Sequence, residues 1–103
     1  MLHATNELQG AALDWAVAKC EGTLHDDNTA SDYWQPSENW EQGGPIIERE
    51  TIDIEWTGIP GAQFFCAIQG EHEQSGDTPL VAAMRCYVES KLGDEVEIPE
   101  ELK

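Results

Sequence analysis

The spacing of apolar residues near the N-terminus predicts an amphipathic helix over residues 5–21. Leucine, alanine, tryptophan and valine recur there every three to four positions and form a broad apolar face. Thr5 or Asn6 is placed to cap the first turn, and Gly22 follows as a natural end.

A second helix is predicted over residues 78–93, where the apolar positions again follow helical spacing. Thr78 is followed by a proline, which is typical of a helix start, and Gly93 is typical of a helix end. Arg85 and Glu89 are four residues apart, so we expect them to pair on the exposed side.

Between the helices the pattern changes to the two-residue repeat of β-strands. Ile52, Ile54 and Trp56 alternate with acidic residues toward the end of 46–56, which predicts a half-buried strand with these three side chains inside. We take residue 46 as the start of this strand ribbon. Residues 57–62 form a turn, residues 63–69 form the antiparallel partner, and residues 70–77 read as a polar connection. A short strand is expected at 96–98.

The stretch at 23–44 has no regular period, contains five carboxylates and has no basic residue. It also contains Tyr33, Trp34 and Trp40, which a solvated tail would have no use for. We therefore expect a long ordered loop that aromatic rings hold against the sheet. Gly43-Gly44-Pro45 is interpreted as a turn at its end.

Together these elements predict an α+β fold in a single domain spanning residues 1–103. A small antiparallel sheet of two to four strands carries an N-terminal and a C-terminal helix, with the long loop after the first helix. A chain of this size has a thin core. We therefore expect either low net stability or a homodimer that adds apolar burial.

Charge restricts the function. The chain has 21 acidic and 5 basic residues, a formal net charge of -16 and a pI of about 4.1. Binding to a nucleic-acid backbone or an anionic membrane surface depends on Lys and Arg, so we expect neither. The sequence contains no apolar run long enough to span a membrane, and we expect no secretory signal.

Residues with catalytic or metal-binding chemistry form no known pattern. Cys20, Cys66 and Cys86 include no closely spaced pair, and the interpretation we favour is reduced, half-buried thiols. The histidines are scattered, and no nucleophile, phosphate-loop or zinc motif is present. We expect no cofactor, no metal and no enzymatic activity.

The two arginines and the loop aromatics remain as candidates for binding. Either arginine pairs with neighbouring carboxylates, or one lies near the loop and grips an anionic or planar ligand. The aromatics either pin the loop or form a recognition surface. A small molecule would bind in a pocket of Trp40, the glycine turn and Arg85, at a dimer seam. The candidate ligand- or partner-binding residues are Tyr33, Trp34, Trp40, Gly43, Gly44, Arg49 and Arg85.

Three stretches resemble one family of small tailed-bacteriophage proteins, the NinX-like family. They are ALDWAVAKCEG (12–22), PSENWEQGGPIIERE (36–50) and GDTPLVAAMRCYVESKLGDEVEIPEEL (76–102). The segment between Trp56 and Gly76 departs most from the family. The resemblance implies expression in the cytoplasm of an infected bacterium, from an accessory region rich in host-interaction and counter-defence genes. It supplies no catalytic residues.

Three classes of function follow from these features. The first is a non-enzymatic protein that binds a host protein or a small signalling molecule, in a counter-defence role. The second is a nucleic-acid mimic whose carboxylates occupy a basic DNA-binding host protein. The third is a small enzyme acting on a nucleotide, with a carboxylate of shifted pKa.

Overall fold

The structure, a computed structural model, describes residues 2–59 and 62–100. Within these residues, three helices and five strands form two small antiparallel sheets, so the predicted α+β class is confirmed. The elements are β1 (Leu2–Ala4), α1 (Gly10–Glu21), α2 (Trp40–Arg49), β2 (Asp53–Ile59), β3 (Ala62–Gln69), β4 (His72–Gly76), α3 (Pro79–Leu92) and β5 (Glu95–Glu97).

Helix α3 is the central element, and its predicted bounds are confirmed. Thr78 Oγ1 accepts a hydrogen bond from the Val81 amide, and Pro79 lies in the first turn, where its missing N–H costs nothing. Gly93 ends the helix at φ +89°, a conformation that favours glycine. The helix is buried on most sides because it packs against β3, β4 and α1.

The larger sheet has the strand order β2–β3–β4. Trp56 lies opposite Phe65, and Ile54 lies opposite Ala67, so these four residues share one face. Ala67 is fully buried on this face, whereas Trp56 is 60% exposed. The prediction of a half-buried strand is confirmed for its first half, but the expected burial of Trp56 is wrong.

The smaller sheet joins the two ends of the chain. β1 pairs with β5 in an antiparallel register that places His3 opposite Val96, which confirms the strand expected near residue 96. Thr5 is fully buried just after β1. Its hydroxyl donates to the carbonyl of Gly93 at 2.7 Å, and its amide donates to the carbonyl of Asp94 at 2.8 Å. These bonds fasten the N-terminus to the end of α3.

This tie explains why the predicted start of the first helix is wrong. Thr5 does not cap a helix, because its hydroxyl is used in the contact with Gly93. The chain instead makes a short 3₁₀ turn, and α1 begins at Gly10, whose φ of +55° favours glycine. The predicted end is confirmed, since Gly22 has φ +73° and its amide donates to the last turn of α1.

Helix α2 replaces the predicted turn and the first part of the predicted strand. The Asn39 side chain accepts the Glu41 amide at 2.8 Å and so caps the helix. Gly43 and Ile46 are buried on its inner side. The predictions of a turn at 43–45, of a strand starting at residue 46 and of Arg49 within that strand are therefore wrong.

The predicted polar connection at 70–77 is also wrong, because it contains strand β4. The side chains that β4 turns toward α3 are polar. The ring nitrogen Nδ1 of His72 lies 3.1 Å from a carboxylate oxygen of Glu89, and Gln74 Nε2 donates to the other oxygen at 2.5 Å. Glu89 is thus engaged by β4, and its expected pairing with Arg85 is wrong.

The hydrophobic core lies around α1 and α3, with contributions from α2, β3 and β5. None of the helices in the described ranges combines the length and the hydropathy needed to cross a membrane. The largest fully buried hydrophobic side chains are Tyr87, Leu13, Ile46, Met84, Ile98, Val17 and Val88.

Candidate binding surface and cleft

Residues 23–39, which we call the acidic loop, are anchored to α1 at two points. The indole Nε1 of Trp15 donates a hydrogen bond to the carbonyl of Asn28 at 2.7 Å. The amide of Ser37 donates to Oδ1 of Asp14 at 2.9 Å. Because Trp15 and Asp14 are both buried in α1, these bonds fix the path of the loop over the helix.

A third anchor joins the acidic loop to α2. The Gln42 side chain donates through Nε2 to the carbonyl of Tyr33 at 2.7 Å, and its Oε1 accepts the amide of Gln35 at 2.5 Å. One side chain thereby holds both sides of the turn that presents Tyr33.

The three aromatic residues predicted as candidates divide into two groups. Trp34 is partly buried and packs against the core, so it helps to pin the loop, but the loop lies over α1 and not over the sheet as predicted. Tyr33 and Trp40 are 87% and 56% exposed, so neither pins the loop. Gln42 connects the elements that carry these two rings. It lies on α2 two residues after Trp40, and its side chain donates to the backbone carbonyl of Tyr33.

A cleft of about 350 Å³ lies between the acidic loop and α1, a volume within the range of small-ligand sites. Trp15 and Trp34 contribute the aromatic part of its lining. Asp14, Asp32 and Glu38 contribute the charged part. The remaining lining residues are Ala11, Asn28, Thr29, Ala30, Ser31, Gln35 and Pro99.

Asp14 is the most unusual residue of this cleft. It is only 6% exposed, and burial raises the pKa of its carboxyl, an effect that hydrogen bonding to Ser37 opposes and the charge of Glu38 reinforces. No basic side chain in the described ranges lies within ion-pair distance of it. Buried carboxylates are usually paired, so this one is exceptional.

The two candidate glycines have different surroundings in α2. A Cβ atom on Gly43 would lie 2.5 Å from the carbonyl oxygen of Pro36 and 2.6 Å from a methyl group of Leu80. A Cβ atom on Gly44 would meet only the Trp40 ring, at 3.9 Å. Gly43 therefore permits close packing of α2 on the acidic loop, and it is not part of a turn that faces a ligand.

Arg49 forms ion pairs within the protein. Its guanidinium donates to both carboxylate oxygens of Glu21, at 3.1 and 2.6 Å, and to Glu50 at 3.0 Å. These bonds from Arg49 hold the pKa values of Glu21 and Glu50 below their usual range. The guanidinium also lies 5.7 Å from the centre of the Tyr87 ring. The arrangement joins the C-terminal ends of α1 and α2 to α3.

Arg85 also uses its guanidinium for hydrogen bonds within the protein. Its Nε donates to the carbonyl of Leu8 at 2.7 Å, and its Nη1 donates to the carbonyl of Ser75 at 2.8 Å. Burial lowers the pKa of this guanidinium. Arg85 thus connects α3 to the chain before α1 and to β4.

The expected pocket of Trp40, the glycine turn and Arg85 does not form as predicted, because Gly43 is buried inside α2. Neither Trp40 nor Arg85 lines the cleft under the acidic loop. A shallower depression contains Gly44 and Arg49 with Pro45 and Glu48. Neither arginine lines the cleft that Trp34 lines, and both are hydrogen-bonded to other groups of the protein.

The remaining polar chemistry is modest. Burial raises the pKa of the Cys20 thiol to about 12 and that of Cys86 to about 11, which disfavours the thiolate form of both. All three cysteines are free. In residues 2–59 and 62–100, no group of three or more His, Cys, Asp or Glu side chains is arranged to hold a metal ion.

Sequence reasoning missed three residues that the structure brings forward: Asp14, Trp15 and Trp56. Asp14 is a carboxylate between apolar residues of the first helix, and this position was the only feature of the sequence that could have indicated its role. Trp15 was assigned to the core, where it lies, but it also lines the cleft. Trp56 was placed in a half-buried strand and is exposed.

Comparison with known proteins agrees with the resemblance seen in the sequence. A search of curated proteins finds no match. The family model described as bacteriophage P22, NinX matches residues 4–91, which include all three helices apart from the last residue of α3. The chain therefore belongs to the bacteriophage P22 NinX family.

Proposed function

We propose that this phage protein is a non-enzymatic binding protein that occupies a basic surface of a host protein during infection. The observation that carries the proposal is the exposure of two large aromatic side chains, Tyr33 at 87% and Trp40 at 56%, on backbone that Gln42 holds in place at Tyr33 and that belongs to helix α2 at Trp40. Exposed tyrosine and tryptophan on a fixed backbone are typical of the residues that dominate protein interfaces.

The charge distribution supports a basic partner. Most acidic side chains in the described ranges are exposed, and the acidic loop contributes Asp26, Asp27, Asp32 and Glu38 to this surface. A field of this sign steers positively charged surfaces toward the loop and disfavours anionic ones.

The basic side chains in the described ranges have internal partners, which also supports this choice. Arg49 binds two glutamates, and Arg85 binds two backbone carbonyls. Lys91 lies 3.7 Å from a carboxylate oxygen of Glu50, and the Lys19 ammonium lies 5.5 Å from the Trp15 ring. Binding of a phosphate-containing signalling molecule would have to break such contacts, so a protein partner is favoured over that ligand class.

A non-enzymatic role is supported by the state of the candidate nucleophiles. The pKa values of Cys20 and Cys86 are raised, so both thiols are protonated at neutral pH and react poorly. In the described ranges, Asp14 is the one buried carboxylate with a raised pKa, and its hydrogen bond to Ser37 holds the acidic loop on α1.

The nucleic-acid mimic is a second candidate, which the net charge of -16 favours. The exposed carboxylates come from the acidic loop, α2, β2, β4 and β5. A mimic would be expected to line its carboxylates up as the phosphates of DNA are lined up, so this spread over several elements counts against it. In this case the partner would be a DNA-binding protein. Free DNA would compete for it, and loss of Trp40 would have little effect.

The experiment is affinity capture from infected cells with matched tryptophan variants. Trp40→Ala and Trp56→Ala each remove one tryptophan of similar exposure, but Trp40 directly follows the acidic loop whereas Trp56 belongs to β2. We expect Trp40→Ala, with Tyr33→Ser as a second variant, to lose a basic host protein that the Trp56→Ala chain retains. Equal retention by all variants would contradict the proposal, and competition by free DNA would favour the mimic.

A counter-defence role would follow if the captured protein belongs to a host defence system. A phage carrying Trp40→Ala should then form fewer plaques on hosts that contain this system and the same number on hosts that lack it. Equal plating on both hosts would count against the counter-defence role.

A further inference from the structure

The cleft between the acidic loop and α1 has a chemical character that the exposed aromatic surface does not explain. Its lining combines two indole rings, Trp15 and Trp34, with three carboxylates. It contains no lysine or arginine. Aromatic rings and carboxylates together are the combination that proteins use to bind organic cations.

The burial of Asp14 is the independent observation that points to a ligand. Its carboxylate is 6% exposed, lines the cleft and has no basic partner in the described part of the chain. The hydrogen bond from Ser37 engages one oxygen but supplies no positive charge. A cation entering the cleft would supply the charge that is missing, which makes its binding favourable.

The indole rings provide the second half of the recognition. The Lys19 ammonium lies 5.5 Å from the centre of the Trp15 ring, so this indole already has a cation on one side. Lys19 itself is exposed and lies outside the lining of the cleft. The indole of Trp34 is only partly buried and lines the cleft, so it is the aromatic surface that remains open to a cation inside.

From these observations we infer that the cleft binds an organic cation, a guanidinium or an alkylammonium group, through Asp14, Asp32, Glu38 and the indoles of Trp15 and Trp34. The inference rests on the proposed function and deepens it, because it identifies the group that the partner inserts beneath the acidic loop. The same chemistry occurs in an arginine or lysine side chain of a protein and in a free polyamine.

The test is an NMR titration that follows the four indole N–H signals. N-acetylargininamide is the cationic probe, and N-acetylcitrullinamide is a neutral probe of nearly the same shape. We expect the first to shift the signals of Trp15 and Trp34 in a saturable way and the second to bind at least about tenfold more weakly. The signals of Trp40 and Trp56, which lie outside the cleft, serve as internal controls.

Matched variants show whether the carboxylates of the cleft are responsible. Asp14→Asn and Asp32→Asn each remove one charge from the lining, and Asp53→Asn removes one from an exposed position on β2. We expect the first two to weaken binding about tenfold and the third to change it less than about twofold. Asp32 is exposed, so its variant decides the question if Asp14→Asn does not fold.

Three results would overturn the inference. They are equal binding of the two probes, unsaturated shifts at all four indoles, and identical affinities of the Asp14→Asn, Asp32→Asn and Asp53→Asn variants. Agmatine and an arginine-containing tripeptide distinguish the two sources. Tighter binding of agmatine indicates that the natural ligand is a free amine. Tighter binding of the tripeptide indicates that it is a protein side chain. Both results support binding of an organic cation.

Failure of this inference can be separated from failure of the proposed function. If host-protein capture is lost in Trp40→Ala but retained in Asp32→Asn, the exposed aromatic surface binds the partner and the cleft does not. If capture is lost in neither variant while the cationic probe binds, the cleft is a cation site and the proposed host-protein contact is wrong.

Discussion

Alanine substitution at Gly43 tests the packing of α2 on the acidic loop. The new Cβ atom would lie 2.5 Å from the Pro36 carbonyl oxygen, which is too close for a carbon–oxygen contact. The Leu80 methyl group at 2.6 Å can rotate away, but the Pro36 oxygen belongs to the backbone and cannot. Overpacking of this kind costs about 1–3 kcal/mol, and the better helix propensity of alanine returns about 1 kcal/mol.

Gly44→Ala is the matched control, since it makes the same change one residue later. Its Cβ atom has only the Trp40 ring nearby, at 3.9 Å, so the gain in helix propensity of about 1 kcal/mol should appear almost undiminished. The two variants should therefore differ by roughly 1–3 kcal/mol in the free energy of unfolding.

Thermal and urea unfolding, followed by circular dichroism, measure this difference. A change of 1 kcal/mol shifts the Tm of a domain this size by about 4–8 °C. Gly43→Ala should therefore melt well below Gly44→Ala, and Gly44→Ala should melt above the wild type. If both variants match the wild type or lose stability equally, the proposed packing of α2 on Pro36 is refuted. Two glycines in an open turn, with no close neighbours, would give that result.

Three further predictions concern the stability of the chain. Thr51 follows α2 at φ +51°, where a β-branched residue is strained, so Thr51→Gly should raise the free energy of unfolding in urea by about 1 kcal/mol; no gain would contradict that strain. Burial raises the pKa of Asp14, so the contribution of this one carboxyl to the stability of the folded state falls as the pH rises from about 4 toward neutrality. Asp14→Asn keeps an acceptor for the Ser37 amide without the charge, so urea unfolding at several pH values should show its advantage growing with pH, and a constant or shrinking difference would disprove this. Arg85→Met should lower the free energy of unfolding by about 2 kcal/mol because two backbone carbonyls lose a charged donor; an unchanged Tm would show that these bonds are not structural.

The parts of the fold that the sequence predicts well are those fixed by local chemistry. Thr78 with Pro79 starts α3 and Gly93 ends it, as these residue types do in any helix. Strand β2 shows alternation over its first half for a similar reason, since its inner residues face α3 and Asp53 and Glu55 face solvent.

Helix α2 was missed because its local signals oppose its tertiary context. Two glycines and Pro45 disfavour a helix, but Gly43 is needed where α2 approaches the backbone of Pro36. The Asn39 cap was compatible with the helix, and the breakers concealed it.

Strand β4 was missed for a different reason. Its inward positions are occupied by His72, Gln74 and Gly76, which give no apolar alternation. Hydrogen bonds from His72 and Gln74 to Glu89 take the place of apolar packing there. His72 and Glu89 are seventeen residues apart, so no local repeat in the sequence indicates that they are partners.

The candidate site was predictable only in its location. The aromatic and acidic character of the loop indicated a binding surface, but which rings are exposed depends on how Gln42 and Asp14 hold the backbone. The cleft could not be predicted, because its walls come from residues on α1 and the loop that become neighbours only on folding. The homodimer expected from the thin core stays a prediction.

Photo-crosslinking in infected cells tests most directly whether the acidic loop contacts a host protein. A photoreactive phenylalanine analogue would replace Tyr33 in one chain and Trp56 in another, so that two exposed positions on different elements are compared. We predict that position 33 crosslinks to a single basic host protein and that position 56 does not. Crosslinking from position 56 alone, or none from position 33 in cells where the chain is expressed, would contradict the proposed contact surface.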